Sequence, residues 1–295
     1  MTVVTAVRLG ALGDLVMTLP ALRAVHDLQL VTDSRYVPLL RHALPGAVVT
    51  DPSALDVLRP ADEVLDLHGV PRSRRLLPRV PRTDGSTLRR TPKEDLRRRA
   101  LLVPGLRRFG GGRTWPERHG ALVGGEGRPR LEAPNPTGAS SPLLGLVVGA
   151  GHPGKAWARE RHEQLAAAWS AATGGRSRSF AGPGEEPLTG DAIDPWDDGG
   201  DLLRLLDGLA GCDVVVAADT GPLHLAGALG RPVVGLFGPT PVDAGFWVWE
   251  GVALRPAVSC APCSMHGAGP CWRLRRRCLE HRVEDVLAAA LGLRP

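Results

Sequence analysis

The segment that most constrains the fold is an apolar run that ends in Asp219-Thr220-Gly221 and then continues toward a helix. The run, residues 214–218, reads Val-Val-Val-Ala-Ala, which is typical of a strand buried on both faces. Pro222 suits the first turn of the following helix. A strand that feeds a helix in this way presents free backbone N–H groups and the positive end of the helix dipole to a ligand. The segment therefore predicts a diphosphate cradle, with a capped helix of any α/β protein as the simpler alternative.

Strand-like and helix-like stretches alternate along the chain, which is typical of parallel sheets covered by helices. We predict strands near residues 3–9, 28–32, 63–67, 144–148, 178–181, 214–218 and 232–237, and helices near 14–26, 36–42, 92–102, 159–172, 202–210, 222–229 and 283–291. Residues 131–142 are rich in turn-forming residues and predict a linker. We therefore expect two Rossmann-like domains, residues 1–136 and 137–295, whose strand-end loops face a central cleft.

The first strand leads into a loop that contains Gly10 and Gly13 and ends at Asp14. Glycines let a substrate approach the backbone closely, and a carboxylate at this position can accept a proton from an attacking hydroxyl. An aspartate at a helix start is also a common cap, so both interpretations of Asp14 stand at this point.

Three further side chains follow strands of the second half. Lys155 lies beside glycines and can neutralise a diphosphate, but Ala156 follows it, so the loop is not a P-loop. Glu185 comes after Gly-Pro-Gly and can accept hydrogen bonds from ribose hydroxyls, with an exposed turn as the alternative. His224 lies on the first turn after Gly221. We expect these residues, with Asp219 and Thr220, to bind a nucleotide.

Four of the five cysteines are clustered in the sequence, at Cys260, Cys263, Cys271 and Cys278. Four thiolates at short spacing can hold one tetrahedral zinc or iron ion, and structural disulfides are uncommon in the cytoplasm. The spacing favours a structural metal. Two disulfides or four reduced thiols are the alternatives.

The formal net charge is +5, and arginines are concentrated between Arg72 and Arg113. Such a run attracts polyanions: an acidic membrane surface or a phosphorylated acceptor fits this charge, and a solvated arginine-rich face is the alternative. Nucleic acid is disfavoured, because Phe109 is the only aromatic residue in the run and stacking platforms are missing. The apolar runs have the length of strands, so we expect a cytoplasmic protein without a signal peptide or membrane span.

Together these segments resemble glycosyltransferase family 9, the heptosyltransferases of the lipopolysaccharide inner core. The resemblance extends over most of the chain, and the matching motifs occur in the same order as in the family. They are Arg8 to Asp14 with Pro20, Asp66-Leu67-His68-Gly69 with Arg72-Ser73, Lys155-x-Trp157, Gly182-Pro183-Gly184-Glu185, Asp219 to Ala226, Phe237-Gly238-Pro239-Thr240, and Cys260-Ala261-Pro262-Cys263 with the later cysteines.

The resemblance implies a GT-B architecture and an inverting sugar transfer that needs no catalytic metal. It implies that Asp14 is the general base and that ADP-heptose is the favoured donor. Lys155, Thr220 and Gly221 would stabilise the ADP leaving group, Asp219 and His224 would contact the sugar or diphosphate, and Glu185 would contact the nucleoside. The acceptor would be a lipopolysaccharide core or another anionic glycan, reached at the inner face of the membrane, with a small secondary metabolite or a protein as the alternatives. In some relatives a similar cysteine cluster holds a structural metal.

The chain departs from the family before the Lys-x-Trp element, where Ala150 and Gly151 replace the hydroxyl residues that members often carry. Some donor contacts are therefore missing or made by the backbone. Two other functions compete with transfer: a sugar-nucleotide epimerase, which would act without an acceptor, and a non-catalytic nucleic-acid-binding protein, which would show strongly salt-dependent affinity.

Overall fold

Each half of the chain is built around a parallel sheet. The computed structural model describes residues 2–92, 95–125, 127–137, 141–182, 184–242, 248 and 250–294. The chain divides into two units, Met1–Lys93 with Arg113–Arg130 and Glu94–Gly112 with Leu131–Pro295. The second unit thus includes residues 94–112, which the expected boundary at residue 136 places in the first domain.

The described strands are β1 (Val4–Val7), β2 (Leu28–Val31), β3 (Val48–Thr50), β4 (Ala61–Asp66), β5 (Arg82–Arg90), β6 (Leu143–Val148), β7 (Arg176–Ala181), β8 (Ile193–Trp196), β9 (Val214–Ala218), β10 (Val233–Leu236) and β11 (Gly251–Leu254). The described α-helices are α1 (Leu12–Arg23), α2 (Val37–Ala43), α3 (Pro71–Leu76), α4 (Asp95–Ala100), α5 (Trp115–Val123), α6 (Arg159–Thr173), α7 (Leu202–Ala210), α8 (Gly221–Ala228) and α9 (Val283–Gly292).

The sheet of the first unit has the strand order β3-β2-β1-β4-β5, and all its strands are parallel. Every residue of β1 is buried, because helices cover both faces of the central strand. The chain adds strands on one side of β1 and then changes direction to add β4 on the other. At such a switch point the loops that follow the two central strands separate and leave room for a ligand. In this unit those loops follow β1 and β4.

The sheet of the second unit has the strand order β11-β10-β9-β6-β7-β8, which is the order of a Rossmann fold. Its switch point lies between β6 and β9. The core beneath it is formed by strand residues such as Leu144, Leu146 and Val216, and by Trp169 of α6. The loops after β6 and β9 carry Lys155 and Asp219, so the topology explains why these distant residues meet.

The two parallel sheets confirm the predicted α/β class, and the predicted strands and helices lie within a few residues of those described. Three peripheral strands, β3, β8 and β11, were not predicted. Nor was β5, because this strand at the edge of its sheet is rich in exposed arginine and threonine instead of alternating apolar residues. Helix α5 was also missed, although its capping box was visible: Thr114 N–H donates to Glu117 Oε2 at 2.6 Å.

The described part of the chain has no helix that combines the length and apolarity needed to cross a bilayer.

Candidate active site

An ion pair joins the two central loops of the second unit. Lys155 Nζ donates to the backbone oxygen and to Oδ2 of Asp219, both at 2.8 Å. The lysine side chain is 15% exposed and that of Asp219 is 5% exposed, so both charges are largely withdrawn from water. A charge in this position needs a partner to offset the cost of desolvation. Two of the three N–H groups of the ammonium are thereby engaged.

The amino-terminal end of α8 follows directly from Asp219. Thr220 takes an extended conformation before the helix and makes no side-chain capping bond; its Oγ1 donates instead to Ala218 O at 3.2 Å. Pro222 occupies the first turn, as expected from the sequence. Backbone N–H groups of this turn are thus left without a side-chain cap, the arrangement that suits an anion.

His224 lies on α8, close to the Asp219 that precedes this helix. Its imidazole is buried, and Nε2 is 3.9 Å from Asp219 Oδ1, the oxygen on the far side from Lys155. Asp219 thus has Lys155 hydrogen-bonded to one carboxylate oxygen and His224 near the other. The contact of His224 with a ligand stays a prediction.

Glu185 folds back onto the ends of β6 and β7. Its Oε2 accepts a hydrogen bond from Gly182 N–H at 2.9 Å. A Cβ placed on Gly149 would lie only 2.0 Å from this oxygen, and Gly149 has φ of +88°, so only glycine fits there. The carboxylate consequently lies close to the switch point while staying exposed. Pro183, which belongs to the same motif, lies outside the described residues.

The loop that follows Cys263 covers Lys155, which the sequence did not indicate. A Cβ on Gly267 would be 2.6 Å from Cγ of Lys155, and one on Gly154 would be 2.1 Å from Gly267 O. Ser264 fixes the loop, because its Oγ accepts hydrogen bonds from the N–H groups of His266 at 3.3 Å and Gly267 at 3.0 Å. The spacing of Ser264 and Gly267 is the signal that could have revealed a turn here.

The four clustered cysteines are free thiols, and three of them are close enough to influence Cys278 electrostatically. Burial, followed by the neighbouring Cys263, Cys260 and Cys271, raises the pKa of Cys278 to about 11. Yet among the described residues, which include all four cysteines, no three His, Cys, Asp or Glu side chains are arranged to hold a metal ion. The metal therefore stays a prediction.

In the first unit, Asp14 lies at the switch point on the first turn of α1. The helix begins at Leu12, two residues earlier than predicted, and Ala11 occupies the cap position. Asp14 is therefore not the cap. Its Oδ2 instead contacts Arg8 Nη2 at 2.5 Å, and the side chain is 25% exposed. Oδ1 accepts no hydrogen bond among the described residues, so its lone pairs are available to a substrate hydroxyl.

Arg8 is a buried connection between the loops after β1 and β4. Besides Asp14, it donates from Nη1 to Leu67 O at 2.6 Å. Asp66 organises the same loop, because its Oδ1 accepts from Gly69 N–H at 2.7 Å and from Ser73 Oγ at 3.0 Å. The Asp66 to Ser73 motif thus shapes the chain beside Asp14.

An aromatic cluster that sequence reasoning missed supports Arg8. The guanidinium carbon lies 5.9 Å from the ring centroid of Trp115, and His119 stacks on that ring at 5.5 Å. His119 Nδ1 lies 2.8 Å from Thr91 Oγ1. Burial, followed by the charges of Arg8 and Arg118, lowers the pKa of His119 to about 3. His119 is therefore neutral near pH 7 and supports Arg8 by packing.

Gly10 and Gly13 allow the loop after β1 to pack closely against neighbouring residues. Gly13 is buried, and a Cβ on Gly10 would be 3.3 Å from Cε2 of Tyr36, the single tyrosine of the chain. Beside Tyr36, Asp33 accepts two hydrogen bonds from Arg72, at 2.6 and 3.0 Å. Tyr36 and Asp33 follow β2, the strand next to β1. Their place directly after a predicted strand was the sequence signal that they lie at this edge of the sheet.

Residues 201–264 match the model of glycosyltransferase family 9 (heptosyltransferase). This region contains Asp219, Thr220, Gly221 and His224, so the match confirms the resemblance on the segment that carries the predicted cradle. Among curated proteins, none matches the sequence.

Solved structures resemble the chain over nearly its whole length. The E. coli ADP-heptose lps heptosyltransferase II has a TM-score of 0.73 at 17% identity, covering 99% of this chain and 98% of that one. The iron-containing dodecameric glycosyltransferase TibC from enterotoxigenic E. coli H10407 has 0.63 at 16%, covering 99% and 74%. The E. coli heptosyltransferase WaaC with ADP-2-deoxy-2-fluoro heptose has 0.62 at 18%, covering 90% and 96%. At these identities the likeness establishes the fold.

Proposed function

We propose that the chain is a glycosyltransferase of the family 9 type and that it transfers a sugar from an ADP-linked donor, with heptose as the favoured sugar, to a hydroxyl of an anionic glycan. The observation that carries this proposal is the Lys155–Asp219 pair at the switch point, directly before the uncapped start of α8. It supplies a cation and free N–H donors at the position where Rossmann folds bind a diphosphate.

In the proposed donor complex the diphosphate lies at the start of α8, where Thr220 and Gly221 supply backbone donors. Lys155 has one N–H group beyond the two that bind Asp219, and this group can reach a phosphate oxygen. Asp219 holds the ammonium in place. Glu185 is assigned to the ribose hydroxyls, because it is exposed beside Gly149 at the neighbouring strand end. Two solved relatives carry an ADP-linked heptose in their descriptions, which supports this donor class.

The proposed reaction inverts the anomeric centre. An acceptor hydroxyl oxygen forms the new bond to the anomeric carbon while the bond from that carbon to the diphosphate oxygen breaks. Asp14 Oδ1 takes the hydroxyl proton, as a positioned general base can, and the electron pair of the broken bond leaves with ADP. Lys155 and the start of α8 stabilise the charge that develops on the diphosphate. No metal ion takes part in these steps.

The proposed acceptor is a lipopolysaccharide core or a similar anionic glycolipid. Arg72, Arg74 and Arg75 lie on α3 in the first unit, the last two in its final turn, where exposed arginines can attract phosphate groups of such an acceptor. This acceptor places the enzyme in the cytoplasm, at the inner face of the membrane.

We also assign the cysteine cluster a structural ion, zinc or iron, bound through Cys260, Cys263, Cys271 and Cys278. The chemistry of the donor set suits either metal. One solved relative of the same fold is described as iron-containing, which favours iron as the first ion to test. When bound, the ion would crosslink the segment that covers Lys155.

Calorimetric binding of ADP, UDP, GDP and NAD tests the donor assignment. We expect selective ADP binding by the wild type and loss of binding in Lys155→Ala and Asp219→Ala, while Glu160→Gln, an exposed change on α6, leaves binding unchanged. Selective binding of UDP or GDP would change the donor and keep the cradle. If neither substitution weakened ADP binding, the assignment of Lys155 and Asp219 to the diphosphate cradle would be refuted.

A further inference from the structure

The Lys155–Asp219 pair brings no net charge to the proposed diphosphate site. Lys155 Nζ lies 2.8 Å from Asp219 Oδ2, so the carboxylate cancels the charge of the ammonium. The start of α8 contributes about half an elementary charge through the helix dipole. A nucleoside diphosphate carries several negative charges at neutral pH, and such anions are bound most strongly by charge-assisted hydrogen bonds from cations. A second cation is therefore expected beside Lys155.

Arg276 lies beside the loop that carries Lys155. A Cβ placed on Gly154, the residue directly before Lys155, would be 3.2 Å from Arg276 Nη1. Gly154 is buried and Arg276 is half-buried, so the guanidinium packs against the backbone of the loop after β6 while part of the arginine stays accessible. Arg276 is the last residue of the segment 264–276, which we call the covering loop.

The covering loop is fixed to two strand-end loops of the second sheet. A Cβ on Gly267 would be 2.6 Å from Cγ and 3.0 Å from Cε of Lys155, so the backbone of the covering loop packs along the lysine side chain. At its start, the N–H groups of Cys263 and Ser264 donate to Pro239 O at 2.8 and 3.0 Å. Pro239 follows β10, the strand next to β9. These contacts hold the covering loop against the proposed donor site.

Arg276 has donor groups available for a ligand. Its Nη2 donates to Gly269 O at 3.5 Å, which is a long hydrogen bond. Within the described part of the chain, neither Nε nor Nη1 donates to an acceptor, and no carboxylate forms an ion pair with this guanidinium. The flanking Arg275 and Arg277 are exposed, so burial beside the loop after β6 distinguishes Arg276 from its neighbours. A half-buried guanidinium with unused donors in a rigid fork suits a phosphate group.

We propose that Arg276 is a second cation of the donor site and binds the diphosphate together with Lys155 and the start of α8. This assignment rests on the proposed function, because it adds a residue to the same donor site. When the bond from the anomeric carbon to the diphosphate oxygen breaks, negative charge develops on the leaving group, and Arg276 stabilises that charge. The segment that carries the four cysteines thereby takes part in donor binding.

ADP calorimetry of the full chain tests the assignment with matched variants. Arg276→Gln removes the charge, and Arg275→Gln removes the exposed charge of the preceding residue as its control. Arg276→Lys keeps a charge at the site. Gly267→Ala places a methyl group against Lys155, whereas the methyl group of Gly269→Ala meets no atom within 4 Å. Both glycines have a positive φ, +72° and +94°, so the two substitutions carry a similar backbone strain.

We expect Arg276→Gln to weaken ADP binding by about 10- to 100-fold, the usual effect of losing a hydrogen bond between charged groups. Because salt screens such a contact, the ratio of the dissociation constants of variant and wild type should fall as sodium chloride rises from about 50 to about 500 mM. Arg276→Lys should retain more affinity than Arg276→Gln, and Arg275→Gln should bind ADP as the wild type does. Gly267→Ala should lose several-fold more affinity than Gly269→Ala, because Lys155 has to move.

The assignment of Arg276 would be overturned if Arg276→Gln bound ADP no more weakly than Arg275→Gln while Lys155→Ala lost binding. It would also be overturned by a loss in Arg276→Gln that is independent of salt and equally large in Arg276→Lys, the result expected if the arginine only holds Gly269. Equal affinities of Gly267→Ala and Gly269→Ala would exclude a covering loop that lies against Lys155, and with it the proposal.

Failure of the proposed function gives a different result in the same experiment. In that case the wild type binds no ADP, or Lys155→Ala binds ADP as tightly as the wild type does, and the assignment of Arg276 falls with the donor site. Loss of ADP binding in Lys155→Ala without loss in Arg276→Gln leaves the proposed function standing and removes Arg276 alone.

Discussion

Replacing Lys155 with methionine removes one charge from an ion pair that is nearly withdrawn from water. Methionine keeps the aliphatic contact with Gly267 but leaves Asp219 without its ammonium partner. Removing one partner of a fully buried pair costs about 3–5 kcal/mol of unfolding free energy. Because the lysine is 15% exposed, we expect about 2–4 kcal/mol here. Thermal unfolding should then fall by about 5–15 °C.

A second substitution separates stability from binding. Lys155→Met with Asp219→Asn removes both charges, so the double variant should recover most of the stability while still failing to bind ADP. Arg282→Met is the control in the same unit, since its pair with Glu284 is exposed, and its unfolding should match the wild type. The assays are urea unfolding and ADP calorimetry. A single variant as stable as wild type, or a double variant less stable than the single, would refute the reasoning.

Three further predictions concern Asp14, His119 and the cysteines. Asp14→Asn should lower kcat by about 10²–10⁴-fold with ADP affinity unchanged, as loss of a general base does; normal turnover in a steady-state transfer assay would exclude that role. Burial lowers the pKa of His119 to about 3 in the folded protein, whereas a histidine in the unfolded chain titrates near 6.5. Between these two pH values the unfolded chain binds a proton that the folded protein does not, so the free energy of unfolding falls as the pH is lowered. In urea unfolding, the free energy of unfolding of His119→Gln should fall less steeply with decreasing pH than that of the wild type, by up to about 1.4 kcal/mol per pH unit. Parallel plots of this free energy against pH for the two proteins would contradict the prediction. Metal analysis of protein purified under reducing conditions should find zinc or iron that Cys278→Ser loses and Cys212→Ala retains; four titratable thiols and no bound metal would rule the ion out.

The central elements of both sheets could be predicted from the sequence because their signals are local. The valines of β9 and the Asp-Thr-Gly turn after it mark a buried strand and a helix start without reference to other segments. The start of α1 was placed two residues late, because Asp14 looked like a cap while Arg8 holds it on the first turn. Whether Asp14 caps the helix or forms an ion pair depends on the position of Arg8, which the local sequence pattern does not give.

The contacts that position the candidate site residues could not be predicted, because they depend on strand order and long-range packing. Lys155 and Asp219 meet because β6 and β9 are adjacent at the switch point. Trp115 stacks on His119 beside Arg8, more than a hundred residues away in the chain. The loop at Gly267 covers Lys155 from a segment whose sequence suggested only a metal site. In each case the chemistry of the residue was visible and its partner was not.

We propose that Asp14 acts as the base and the Lys155–Asp219 pair as the diphosphate-binding element of an inverting transfer from an ADP-linked sugar. The most direct measurement follows ADP release and product formation from ADP-heptose with a deacylated lipopolysaccharide-core acceptor, with the anomeric configuration of the product assigned by NMR. We predict acceptor-dependent ADP release, a product of inverted configuration, and loss of both in Asp14→Asn and Lys155→Met. A product of retained configuration, or conversion of the donor without any acceptor, would exclude an inverting transfer that uses Asp14 as its base.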